Sequence, residues 1–183
     1  MNKIIAIVGM CGSGKSIATE YYEKLGFKKV YFGGVTLEKL KESNLEINEK
    51  NERYMREHLR KEYGMGAYAI ISLPKIKEYI KESNVIIDGL YSWDELKILK
   101  SEFNDALCVL GIVVNKITRY DRINKRDIRP LNKDEAIRRD ITEIENLSKG
   151  GPIVFSDYYI LNNGDIAEYY KDLEKVTKEI MGN

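Results

Sequence analysis

Residues 9–16 read Gly9-Met10-Cys11-Gly12-Ser13-Gly14-Lys15-Ser16, two glycines bracketing four residues and then lysine and serine, and no other stretch limits the possible folds as much. At about 7% glycine in average chains, such a coincidence arises by chance in under 1% or so of sequences this long. Its surroundings fit as well. Ile4-Ile5-Ala6-Ile7-Val8 is a continuous apolar run, expected for a central parallel strand buried on both faces. Gly14 to Leu25 then predicts a helix, closed by Gly26. A strand that feeds a glycine-rich turn and a helix N-terminus aims successive backbone N–H groups at one point and adds the positive end of the helix dipole. That arrangement suits a chain of phosphates, with Lys15 bridging the outer two and the Ser16 hydroxyl reaching Mg²⁺.

The remaining pattern alternates strands with helices. Phe27 to Phe32 predicts a second short strand with Gly33-Gly34 as a sharp exit, Val85 to Gly89 a third, Leu107 to Val114 a fourth and Tyr158 to Leu161 a fifth. Between Thr36 and Ser83 no strand is expected, and Tyr54, Met55, His58, Leu59 and Tyr63 recur at helical spacing. Ser92 with Glu95, Asn132 with Glu135 and Asp165 with Glu168 have the spacing of helix caps. This alternation predicts an α/β fold: a five-stranded parallel sheet with helices on both faces, binding ligands at the carboxyl ends of its strands.

With 183 residues the chain has room for one domain with a full core. A formal charge of +1 excludes a global field that draws the molecule to nucleic acid or to an acidic membrane. Two distant cysteines, Cys11 and Cys108, fit neither a disulfide framework nor a metal cage, and no apolar run reaches membrane-span length. The expectation is a cytoplasmic protein, a monomer or small homo-oligomer, with no membrane partner and with nucleic acid disfavoured.

Local charge is less even. Lys116 to Arg139 holds nine basic residues against four acidic ones and directly follows the fourth strand, so it starts on the ligand-bearing rim. Such a run is usually a solvated helix face. Here Arg119, Arg122 and Arg126 share one helical face, from which they could neutralise a transferred phosphoryl. Asp88, ending the third strand, is placed to hold the shell of Mg²⁺.

On these residues the chain resembles the P-loop nucleoside and nucleotide kinases, whose three-layer fold carries a helical acceptor-binding insertion and an arginine lid. It is most similar to the dephospho-coenzyme A kinases and the adenylate-kinase-related nucleotide kinases of archaea. The matching stretches are Gly9 to Ser16, Tyr31 to Val35, Leu59 to Gly64, Val85 to Gly89, the lid arginines and Asp157 to Gly164. The resemblance implies one domain with core 1–35, 84–115 and 150–183, insertion 36–83 and lid 116–149. It implies MgATP on Gly9 through Ile17, with the base on Arg119 and against Asn162 and Gly164. Lys15, Arg122 and Arg126 would act on the transferring phosphoryl. Gly34, Arg56, Arg60, Tyr63, Asp88 and Tyr91 would face a small nucleotide-like acceptor, a nucleoside monophosphate or dephospho-coenzyme A.

Two positions depart from that group. Relatives often carry an acid after the second strand, where Gly34 stands, and an arginine after the Asp-Gly of the third, where Tyr91 stands. A regulatory ATP-binding protein without transfer is therefore a rival reading, and a kinase acting on a nucleic-acid end, with the basic segment tracking a phosphate backbone, is another. A regulatory GTPase is excluded more firmly: Asn115-Lys116-Ile117-Thr118 ends in a threonine, which cannot accept both guanine N–H bonds as a carboxylate does. His58, among apolar helical neighbours, is expected to pack.

Overall fold

The computed structural model describes residues 2–182. Five strands form one parallel sheet in the order β2 (Lys28–Tyr31), β3 (Val85–Asp88), β1 (Ile4–Val8), β4 (Leu107–Val113) and β5 (Tyr158–Leu161). Every residue of β1 is buried, because its alternating side chains enter two different cores. Ile4, Ala6 and Val8 pack with residues of helices α2 (Phe32–Glu42), α3 (Glu49–Tyr63), α4 (Ala67–Glu82) and α5 (Trp93–Phe103). Ile5 and Ile7 pack on the opposite face against α1 (Lys15–Lys24) and α9 (Ile166–Met181). At about 1.5–3 kcal/mol for each large apolar side chain removed from water, this strand anchors the fold.

The register gathers the chemistry at one rim. Asp88 lies level with Ile7 and Tyr31 at the carboxyl ends of their strands, and Val8 leads straight into the glycine-rich loop. Beyond β4, two helices follow, α6 (Lys116–Asn124) and α7 (Lys133–Leu147), then the short α8 (Gly150–Val154). The caps form as spaced: Ser92 and Glu95 make a reciprocal box, as do Asn132 and Glu135, while Asp165 accepts the Glu168 N–H.

Two expectations need correction, one at Gly33-Gly34 and one at His58. Gly33 and Gly34 are not an exit turn; they lie in the first turn of α2, where their missing side chains leave room for the Tyr31 ring. Gly150-Gly151-Pro152 opens α8, with Pro152 in the first turn, where a missing N–H costs nothing, and Gly151 against the Trp93 ring. His58 does not pack. It is exposed, stacked on Tyr54 at 6.0 Å and 3.6 Å from Glu62, because only Met55 and Leu59 of α3 turn into the core.

Candidate functional site

The glycine-rich loop joins β1 to α1, and its two bracketing glycines have separate steric reasons. Gly9 has φ +151°, and a Cβ there would lie 2.5 Å from the Ile112 carbonyl oxygen, a backbone atom that cannot move aside. Gly14, at φ +97°, would meet the Asn162 amide, which instead donates to the Ser13 carbonyl at 2.9 Å. The Tyr169 hydroxyl donates to the Gly14 carbonyl, so the turn that follows β5 and helix α9 both fasten the loop. The Lys15 ammonium curls back to the Met10 carbonyl at 3.0 Å. Burial, and after it the charge of Lys149, lower its pKa to about 7.

From the other side α6 and α7 hold the loop with a buried ion pair. The Arg119 guanidinium donates to both carboxylate oxygens of Asp140 and, at 2.8 Å, to the Cys11 carbonyl. Tyr120 adds its hydroxyl to Asp140. Arg119 is only 6% exposed, so its planar face is not an open platform for a base, as the resemblance implied; the acid 21 residues downstream has claimed it. Arg122 reaches the opposite way, donating to the carbonyls of Asn162 (2.8 Å) and Gly164 (3.2 Å). Arg126 lies with one N–H 3.6 Å from the Cys11 sulfur.

A cavity of about 400 Å³ opens over this loop, and Lys15, Ser16, Ile17, Asp88, Arg122 and Arg126 line it together. Burial raises the Asp88 carboxyl against the opposing pull of Lys29 and Lys15. Among the described residues no three His, Cys, Asp or Glu side chains cluster to hold a metal. A hydroxyl and one carboxylate beside a phosphate site nevertheless fit Mg²⁺, which usually takes one or two protein ligands and completes its shell with phosphate oxygens and water.

A second cavity, of about 630 Å³, adjoins the first. Arg56 and Arg60 line it, together with Phe32, Gly33, Tyr68 and Arg129. Gly34 and Tyr63 do not: Gly34 is turned toward Tyr31, and Tyr63 is 41% exposed at the end of α3. The two cavities share one wall, made of Tyr31, Tyr91, Arg139 and Glu143. In that wall the Glu143 carboxylate takes Arg139 at 3.1 Å and Lys149 at 2.5 Å. Burial opposes its charge, but the two cations prevail and hold its pKa below the usual carboxylate range. Arg139, Glu143 and Lys149 are site residues that sequence reading passes over. The i,i+4 spacing of Arg139 and Glu143 was the one visible signal.

A family described as an AAA domain matches residues 5–145. Among solved structures, shikimate kinase from Bacteroides thetaiotaomicron superposes with a TM-score of 0.61 at 13% identity, over 99% of both chains. The TT1252 protein of Thermus thermophilus gives 0.57 at 15% identity, over 99% of this chain and 97% of that one. The chain thus belongs to the AAA-domain family, and its fold is that of the P-loop kinases. UPF0200 protein TK1334 of Thermococcus kodakarensis is 30% identical over 182 residues, covering 97% of this chain and 98% of that protein. UPF0200 protein MmarC7_0527 of Methanococcus maripaludis is 34% identical over 182 residues, 98% of each. The chain belongs to the UPF0200 family.

Proposed function

We propose that the protein transfers the γ-phosphoryl of MgATP to a small nucleotide-like acceptor, of the nucleoside monophosphate or dephospho-coenzyme A class. The observation that carries this reading is the pair of adjoining cavities with a common wall, one floored by the phosphate loop and the other lined by arginines. Transfer needs such an arrangement, since catalysis of phosphoryl transfer is mostly positioning and charge neutralisation. The buried Nε of Arg60 has no hydrogen-bond partner among the described residues, and its guanidinium lies over the Tyr68 ring at 5.6 Å. A donor left open in an aromatic setting suits an anionic group attached to a planar ring.

In this reading residues 36–83 hold the acceptor, and residues 116–149 close over the reacting groups as a lid, excluding water that would otherwise hydrolyse ATP. Lys15 and Arg126 stabilise charge on the transferring phosphoryl, while Arg122 ties the lid to the Asn162 to Gly164 turn beside the nucleotide. Ser16 and Asp88 would hold Mg²⁺, which supplies charge neutralisation at the phosphates.

The test is an ADP-release screen over nucleosides, nucleoside monophosphates, dephospho-coenzyme A and oligonucleotide ends. Stimulation by one small acceptor, with the rate removed in Lys15→Ala and kcat lowered in Arg126→Ala, is the expected result. A second reading, nucleotide binding without transfer, is favoured by the absence of an acid at Gly34. Magnesium-dependent binding with no acceptor-dependent turnover would select it. Rates that rise only with oligonucleotides and collapse with salt would select a nucleic-acid end as acceptor.

A further inference from the structure

Lys149 is 2% exposed, an unusual situation for an ammonium, since taking one out of water costs several kcal/mol unless it is compensated. Ser148, in the left-handed region at φ +51°, ends α7 and turns the chain back, so that the Lys149 N–H meets the Glu143 carbonyl and its side chain the Glu143 carboxylate. Its ammonium also lies 4.4 Å from the centre of the Tyr91 ring. The ion pair alone does not account for this placement. Glu143 already has Arg139, so Lys149 leaves the shared wall with an excess of positive charge, and Lys15 stands across the same cavity. An ammonium has three donors, and the described residues give this one a single acceptor.

An anion between two lysines resolves all of these observations. Lys15 is placed for the outer phosphates of a nucleotide held by such a loop, and Lys149 lines the same cavity beside Tyr91 and Glu143, which also face the second cavity. We infer that Lys149 is a second binding cation for the outermost phosphate of the donor nucleotide, oriented toward it by Glu143 and the Tyr91 ring. This assignment rests on the phosphotransferase reading and adds to it a cation contributed from the junction of α7 and α8.

The experiment compares the affinities of a non-hydrolysable MgATP analogue and of MgADP by titration calorimetry in wild type, Lys149→Met, Lys149→Arg and the double variant Lys149→Met/Glu143→Gln. The double variant removes the ion pair without leaving a buried carboxylate half compensated. Loss of a charged hydrogen bond to the outer phosphate should weaken the analogue about tenfold or more while MgADP changes by less than about threefold, with Lys149→Arg recovering most of the loss. Equal losses for both nucleotides, or none, would overturn the assignment and leave Lys149 a scaffold residue. So would failure of the double variant to fold. If wild type itself shows no magnesium-dependent affinity for either nucleotide, the phosphotransferase reading falls first, a result distinct from wild-type binding that Lys149→Met leaves untouched.

Discussion

The two cavities sit side by side yet are built in different ways. The loop under the first is fastened from three directions: Asn162 and Tyr169 on one side, Arg119 with Asp140 on another, and the Ile112 backbone pressed against Gly9. The second is lined by residues of α2, α3, α4 and α7, and its α3 side carries ion pairs one or two turns apart, Arg56 with Glu49 and Glu52, Arg53 with Glu57. Pairs of that kind contribute about 0.2–1 kcal/mol each and rearrange easily. One ligand site is thus over-determined and the other adaptable. In the phosphotransferase reading proposed above, the chemistry common to P-loop proteins would lie in the rigid part and the choice of acceptor in the part that can be rebuilt.

The contrast can be broken most directly at Asp140. Asp140→Ala strands a buried guanidinium beside the loop and should cost about 3–5 kcal/mol, read as a lowered urea midpoint, with nucleotide affinity falling in parallel. A loss under 1 kcal/mol or so would mean that the loop is not held from this side. The second cavity also has buried support from Glu95, whose carboxylate accepts the Tyr91 and Ser92 N–H groups and whose pKa burial pushes up to about 7. The folded state keeps this proton longer than the unfolded chain does. Its stabilisation is therefore complete below about pH 4.5 and is lost as pH rises through about 7, by up to roughly 3 kcal/mol. Measured against Glu95→Gln, wild-type stability should decline across that window, and parallel curves would remove Glu95 from the account.

Asn162→Ala, which unties Ser13 from the turn that follows β5, should destabilise by about 1–3 kcal/mol and weaken nucleotide binding without altering acceptor KM. If acceptor KM moves as well, the two sites are not as separable as their construction suggests. Smallest of all, Arg53→Ala on the outer face of α3 should shift thermal stability by less than about 0.5 kcal/mol; a larger shift would show that the acceptor side is stiffer than its surface pairs imply.

How far all this was legible in the sequence follows from where each signal lies. The loop is contiguous, and its strand and helix are dictated by neighbours within a few residues. Ile4 to Val8 and Val85 to Asp88 announce buried strands by composition alone. Ser92, Asn132 and Asp165 announce helix starts because a cap needs only a partner three residues on. The role of Arg119 could not be read that way: its spacing fits a ligand-facing arginine equally well, and nothing local says that Asp140 folds back to claim it. Lys149 was hidden for a similar reason, since a lysine after a helix ordinarily ends in solvent and only the reversal at Ser148 turns this one inward. Tyr63 illustrates the converse. Its helical phase beside Leu59 suggested a shared face, but α3 ends there and the ring lies at the rim, while Tyr68 on α4 occupies the cavity.

The common wall of Tyr31, Tyr91, Arg139 and Glu143 has a consequence for how such a protein can diversify. Each of the four lines both chambers, so a replacement at any of them reshapes both at once. In the phosphotransferase reading, new acceptor preferences would therefore be most accessible through Glu49, Glu52 and Arg56, which face one chamber only, and a lineage that changed its acceptor would do so from the outer helix inward.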